Sequence, residues 1–460
     1  MNTNGGLLSD IQMQQFLEDG YIIIRLDESD WFPKNIRGQM DDLLAEEPNP
    51  GNNLLPRIPE LARVFENKAV AGALKSILGP DYQMEDHRFP HVNKPRSKQQ
   101  NVHKDGALRG DHRTRKVFGF YYPQDTPESH GPTGVLPGSQ YFNQFPNKIP
   151  ILPLTADASV VIIAHYEIWH LATANCENRS RYMMKFQFTR MADPEEPTWD
   201  LKNREWATDR RLLKSMWRWH LGGEAPEVTA STGVGLDRDG LLLELRDASE
   251  ATRNESAYRL EELSNVKDKD LIIKALVDDL TGAVPEVAQS AVYGLAAIGV
   301  PAVDRLIPLL GSENSVEGLV AHALSEMGTA AAGAESNLRK MLENDDPVIR
   351  RRVAEALGNC QGGENNLTVR ALTQLFNDPE RRVQSAAAAS VAQLAASLGP
   401  EVSSDLIGKL KAALFNENRY VRGLAARALE RIGTPETLEI VLNWLHIFRW
   451  CPLTTAKSPF

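Results

Sequence analysis

Cysteine is scarce in this chain. The three present, Cys176, Cys360 and Cys451, lie far apart in 460 residues and form no zinc-type spacing. So few cysteines fit a reducing compartment. Long apolar runs are missing too. No stretch approaches the roughly 20 residues a membrane helix needs, and the opening MNTNGGLLSDIQMQQFLEDG has neither a basic start nor an apolar stretch of signal-peptide length. The expectation is a cytoplasmic protein without a membrane span. A basic balance is also lacking: 51 Lys and Arg face 61 Asp and Glu, for a formal net charge of -10. General nucleic-acid binders show the opposite balance, so no nucleic-acid partner is expected. What is present, 42% hydrophobic and 24% charged residues, suffices for two or three ordinary domains.

The two halves differ in grammar. Ser9 can cap a helix running to about Glu18, with Gly20 as its stop. The run Tyr21-Ile22-Ile23-Ile24-Arg25 reads as a strand. A second helix is predicted from Pro59 to Leu78, ended by Gly79-Pro80. Short apolar runs follow, at Val117 to Tyr122, Gly134 to Leu136, Ser159 to Ala164 and Tyr182 to Thr189. Short strands punctuated by turn residues suggest an antiparallel sandwich or barrel such as a jelly roll.

From about Leu241 the sequence repeats. A β-branched residue after a polar turn is followed by apolar residues on one helical face. The copies are Val287, Ala291, Leu295, Ile298; Val316, Val320, Leu324, Met327; Ile349, Val353, Leu357, Cys360; Val383, Ala387, Val391, Leu394; and Val421, Ala425, Leu429, Ile432. Thr252, Ser256, Leu260 and Leu263 form a degenerate first copy, and the starts lie 29 to 38 residues apart. This period marks a solenoid of stacked helix pairs and resembles HEAT-like repeats. Between the halves, Trp199, Trp206, Trp217 and Trp219 read as packing residues, and Gly222-Gly223 with Thr232-Gly233-Val234-Gly235 as a boundary.

The chemistry centres on Gln100-Asn101-Val102-His103-Lys104-Asp105. A His and an Asp two residues apart on extended chain point to the same side and can share one metal. Two imidazoles and one carboxylate leave open positions and suit non-haem Fe(II), so a second His should join them through the fold. Downstream, the apolar run Ser159 to Ala164 leads through His165 to Trp169 and His170, with Asn175, Asn178, Arg179 and Arg181 beyond. An arginine on that next strand can hold a carboxylate with two parallel hydrogen bonds. Between these segments lies Gly131-Pro132-Thr133-Gly134-Val135-Leu136-Pro137-Gly138-Ser139-Gln140.

With these motifs in order, residues 7 to 190 resemble the phytanoyl-CoA dioxygenase family of 2-oxoglutarate oxygenases. The match includes the opening Leu8-Ser9-Asp10 to Asp19-Gly20-Tyr21. The resemblance implies a double-stranded β-helix, jelly-roll or cupin-like, in an α+β N-terminal domain. It implies that His103, Asp105 and His170 ligate iron, and that Arg181 and Thr133 bind 2-oxoglutarate. His165 and Arg179 compete for the third-ligand and carboxylate roles; the eleven residues from His170 to Arg181 fit the family pattern better. Gln100, Lys104, Arg109 and Trp169 are candidate substrate contacts. The basic run Arg109, Arg113, Arg115 and Lys116 reads as a solvated loop or an anion clamp. His112 and His130 read as loop residues, and His87 and His91 as strand residues near the pocket.

The implied activity uses Fe(II), 2-oxoglutarate and O2 to hydroxylate a small-molecule metabolite, releasing succinate and CO2. A carboxylate at Asp105, where related halogenases carry a small residue, favours hydroxylation over halogenation. Two alternatives stand beside it: a protein or peptide hydroxylase that docks its substrate on the all-α HEAT-like solenoid, and a non-catalytic binding protein. The expected layout is an oxygenase domain over 1–197, a Trp- and Gly-rich connecting segment over 198–240, repeats over 241–450 and a tail over 451–460.

Overall fold

The computed structural model of the chain describes residues 6–27, 29, 31–106, 110–223, 237–263, 268–282, 284–312, 316–399 and 402–447. They divide into two units. One runs to residue 207 and includes 216–223; the other holds 208–215 and 237–447. The expected glycine boundary at 232–235 and the tail at 451–460 lie outside the described residues.

The first unit opens as its sequence dictates. Helix α1 (Asp10–Asp19) starts at Ser9, whose hydroxyl accepts from the Gln12 amide while the Gln12 side chain accepts from the Ser9 amide. Gly20 closes it with φ of 80°, a value that favours glycine, and strand β1 (Tyr21–Arg25) follows. Helix α2 (Trp31–Glu46), which the sequence reading did not foresee, buries Phe32, Ile36, Met40 and Leu43 along one face. Short α3 (Leu54–Arg57) follows.

The single helix expected over Pro59 to Leu78 is instead broken. A 3-10 turn at Pro59–Leu61 leads to α4 (Ala62–Glu66), and α5 (Lys68–Leu78) begins afresh. The cause is Asn67. Its backbone leaves the helical region with φ of -54° and ψ of 131°, and its side chain caps α5 at the Ala69 amide.

Seven more strands complete this unit: β2 (Tyr82–Asn93), β3 (Lys116–Tyr122), β4 (Thr133–Val135), β5 (Leu152–Pro153), β6 (Val160–His165), β7 (His170–Ala172) and β8 (Arg181–Arg190). One antiparallel sheet has the order β1-β6-β3-β8-β2, the other β5-β4-β7. From β3 to β8 the chain passes back and forth between the sheets, the winding of a double-stranded β-helix or jelly roll. Pro90 lies inside β2 because that strand is a sheet edge and needs no amide donor on its outer side. Both sheets feed one core, in which Phe118, Phe120, Ile162 and Met183 pack with Val135 and Leu154. Burying each such side chain contributes about 1.5–3 kcal/mol.

Helix α6 (Arg211–His220) is divided between the units after Ser215. Trp199, Trp206 and Trp217 cluster within the first unit, with ring centroids 4.9 and 5.8 Å from that of Trp217. Trp217 donates to the Arg204 carbonyl and Trp199 to Asp10.

The second unit is helical: α7 (Arg238–Glu244), α8 (Glu250–Leu263), α9 (Lys269–Leu280), α10 (Pro285–Ile298), α11 (Val300–Leu306), α12 (Glu317–Met327), α13 (Glu335–Lys340), α14 (Pro347–Cys360), α15 (Asn365–Gln374), α16 (Arg381–Leu394), α17 (Ser404–Ala413), α18 (Arg419–Ile432) and α19 (Pro435–Ile447). The apolar copies read from the sequence fall on α8, α10, α12, α14, α16 and α18, except that Val316 is the residue that caps α12, and these six pack in series. The polar turns have structural work. Asp346 and Asn418 cap α14 and α18, and Arg350 binds both carboxylate oxygens of Asp378 at 2.7 and 2.9 Å while donating to the Asn344 and Asp345 carbonyls. Among the described residues no helix is long and apolar enough to cross a membrane.

Candidate active site

Residues 100–103 run antiparallel to β7. The Gln100 amide donates to the Ala172 carbonyl, and His103 and His170 exchange both backbone hydrogen bonds at 2.9 and 3.0 Å. This pairing puts the two imidazoles together, with ring centroids 4.6 Å apart. Asp105, two residues on, turns its Oδ1 to both: 3.8 Å from His103 Nε2 and 3.9 Å from His170 Nε2. The three ligand atoms all lie within 4.8 Å of one another.

Both rings are oriented by the backbone. His103 Nδ1 bonds the Asn101 carbonyl at 2.9 Å, and His170 Nδ1 the Ile168 carbonyl at 3.0 Å. A carbonyl only accepts, so each Nδ1 donates to it and each Nε2 is the nitrogen left to face the corner. Burial, reinforced by Lys185, pushes the His170 pKa down to about 4, so the ring is neutral at neutral pH. Burial raises the Asp105 carboxyl, but Lys185, His170 and His103 outweigh it and hold it below 3.8. Two imidazoles and one ionised carboxylate converging on a corner are a donor set for a divalent transition metal.

The corner opens into a cavity of about 110 Å³. A water needs roughly 10–15 Å³ measured this way, so the space suits a small molecule of several polar groups. Gln100, Thr133 and Arg181 line it with the triad. Arg181 is only 1% exposed. Its Nε donates to the Gly131 carbonyl at 2.9 Å, its guanidinium carbon lies 5.8 Å from the Tyr122 ring centroid, and its Nη1 has no hydrogen-bond partner. Burial lowers its pKa, yet a guanidinium remains charged. No acidic residue pairs with it among the described residues. A buried cation that lines a cavity and lacks an acidic partner is a ready anion site. Thr133, which lines the cavity, shares a 2.7 Å hydrogen bond between its Oγ1 and the Tyr122 hydroxyl. Gly131 approaches closely: at φ of 67°, a Cβ there would lie 2.3 Å from Asn93 Nδ2.

The other singled-out residues fall elsewhere. Lys104 bonds Glu167 at 3.0 Å and the Phe142 carbonyl at 3.0 Å, Trp169 also donates to Phe142, and neither lines the cavity. Arg109 lies outside the described residues. Arg179 is exposed and paired with Glu177. His165 is buried, accepts from the Glu167 amide, and is not among the triad's neighbouring ligand atoms. Arg113 and Arg115 form neither a solvated loop nor an anion clamp. They converge on Asp193, at 3.9 and 3.2 Å, over the Trp219 ring, while Lys116 pairs with Glu85. His112 and His130 bond the Tyr141 and Asp125 carbonyls.

Two cavity residues carry roles the sequence reading left out or undefined. His91 lines the wall, and burial holds its pKa at about 3. Lys185 also lines it, donates to Asp105 Oδ2, and sits 4.1 Å from the Phe118 ring centroid. The available signal was alternation: Arg181, Met183 and Lys185 share the inner face of β8.

Segments 273–358, 320–392 and 369–446 match the HEAT-repeat family. Several solved structures are similar to the first half. The non-heme α-ketoglutarate-dependent carbocyclase SnoK from nogalamycin biosynthesis is 18% identical over 42% of this chain and 88% of its own, with a TM-score of 0.37. EctD from S. alaskensis, solved with 2-oxoglutarate and 5-hydroxyectoine, is 17% identical over 45% and 84%, with a TM-score of 0.36. HygX from Streptomyces hygroscopicus, solved with nickel and 2-oxoglutarate, is 14% identical over 40% and 87%, with a TM-score of 0.34. Likeness at this level carries no residue role and no substrate over to this chain. Comparison with curated proteins finds no match.

Proposed function

We propose that the first unit is an Fe(II)- and 2-oxoglutarate-dependent dioxygenase that hydroxylates a small-molecule substrate. His103, Asp105 and His170 are the iron ligands, and Arg181 takes the distal carboxylate of 2-oxoglutarate. The observation that carries the reading is Arg181, a buried, uncompensated cation that lines the same cavity as the triad. A metal site alone needs no such group; a dicarboxylate co-substrate does.

Bound at the triad, Fe(II) supplies the redox chemistry that couples O2 to decarboxylation of 2-oxoglutarate, giving CO2, succinate and an oxidised substrate. The chain's own contribution is placement. The two backbone carbonyls orient the imidazoles, Arg181 sets the far end of the co-substrate, and Thr133, hydrogen-bonded to the Tyr122 hydroxyl, adds a polar lining group. The aromatic core around Phe118 and Phe120 excludes water from one side.

The test is succinate release with Fe(II) and 2-oxoglutarate, measured against pools of metabolites and of peptides. Release stimulated by a metabolite supports the reading. The HEAT repeats favour a second reading, a protein substrate, and stimulation by peptides alone would move the conclusion there. No succinate above a metal-free control would refute both.

A further inference from the structure

We propose that Lys185 is a positioning residue that restricts Asp105 to a single metal contact. The proposal rests on the metal-site reading above and adds to it how the site keeps room for its co-substrates.

The two oxygens of Asp105 face different partners. Oδ1 lies 3.8 and 3.9 Å from the two Nε2 atoms, in the corner where a metal would sit. Oδ2 accepts from the Lys185 ammonium. No other hydrogen bond holds this carboxylate among the described residues. The lysine is itself constrained. It projects from the inner face of β8, its side chain is 5% exposed, and its ammonium packs over Phe118. A buried ammonium without its carboxylate would be costly, so the contact is strongly favoured in both directions.

This matters because a carboxylate can bind a metal through one oxygen or two. Two imidazoles and a one-oxygen carboxylate occupy three positions of an octahedral metal and leave three. A 2-oxo acid bound through two oxygens takes two of them, leaving one for O2. If Asp105 closed both oxygens onto the metal, one of those positions would be lost. An ammonium engaged with Oδ2 opposes that rotation. A lysine whose role was only to neutralise a buried aspartate would not affect the number of open positions.

The test uses the full chain, freed of metal, with Co(II) as the probe. Wild type should bind one Co(II), and adding 2-oxoglutarate should change its visible spectrum. Lys185→Met, which keeps the length of the side chain but not the donor, should still bind Co(II) with near wild-type affinity. Its Co(II) spectrum before co-substrate should differ, and it should bind 2-oxoglutarate about tenfold or more weakly. Thermal melting establishes that the variant is folded; if it is not, Lys185→Leu, which also lacks a donor, takes its place in the same titration. An unchanged spectrum with unchanged 2-oxoglutarate affinity would overturn the proposal. So would a folded variant that no longer binds Co(II), because the lysine would then build the site rather than limit its carboxylate. A wild-type protein that binds neither Co(II) nor 2-oxoglutarate would instead refute the assigned function.

Discussion

Replacing Arg181 by Met should produce two effects of opposite sign. Met roughly preserves the length of the apolar stem and removes the guanidinium. The lost Nε bond leaves the Gly131 carbonyl satisfied, because Asn93 Nδ2 also donates to it at 3.2 Å. The metal-free protein therefore loses a buried cation with no acidic partner and gains no orphaned acceptor. Removing such a charge should stabilise the fold by about 1–3 kcal/mol, at about 2–4 °C in Tm per kcal/mol for a unit of this size. Binding moves the other way. Breaking one side of a buried charge pair costs roughly 3–5 kcal/mol, so 2-oxoglutarate affinity should fall by two to three and a half orders of magnitude at about 1.4 kcal/mol per tenfold. Calorimetric titration of the metal-loaded protein and thermal melting of the metal-free protein read the two effects. A variant with a lower Tm and near-normal 2-oxoglutarate affinity would refute the reasoning, because Arg181 would then be a structural residue.

Three further outcomes are expected. His170→Ala should lose Fe(II) binding in a metal titration, whereas His165→Ala should keep it and melt earlier; the reverse result would reassign the third ligand. The metal-free protein should be destabilised by acid between pH 6.5 and about 3. His91, His165 and His170 have folded pKa values of about 3, 3 and 4 against an ordinary 6.5. In that window the unfolded chain holds more protons, so their contribution is full above pH 6.5 and lost as pH falls, by about 1.4 kcal/mol per pH unit for each ring still neutral; a flat urea midpoint across the window would contradict this. Arg350→Ala should cost the second unit about 3 kcal/mol in urea unfolding, because it leaves the buried Asp378 carboxylate with the Glu380 amide but no cation and releases two turn carbonyls.

The parts of the site that local chain geometry determines were legible in the sequence. His103 and Asp105 are two residues apart on extended chain, and that spacing alone puts them on one side. The repeats were legible for the same reason: Val383, Ala387, Val391 and Leu394 lie on one helical face whatever the rest of the chain does, and all four are buried. What escaped depends on pairing across the chain. Lys185 meets Asp105 over 80 positions because β8 runs beside the corner where His103, Asp105 and His170 converge. Arg113 and Arg115 looked like a surface run because Asp193, their partner, lies far downstream. The break at Asn67 was missed because a capping asparagine inside an apolar pattern competes with helix propensity and here prevails. His87 and His91 were read as strand residues, but the extent of β2 was not, because Pro90 argues against a strand unless the strand is known to be an edge.

The most direct test of the central claim is anaerobic titration of the metal-free chain with Fe(II), followed by 2-oxoglutarate. The account predicts one Fe(II) bound per chain and a new visible absorption when 2-oxoglutarate is added. That absorption should be absent from Asp105→Ala at any co-substrate concentration, and should appear in Arg181→Met only at far higher concentrations. Wild-type protein that binds no Fe(II), or binds it without any response to 2-oxoglutarate, would contradict the account.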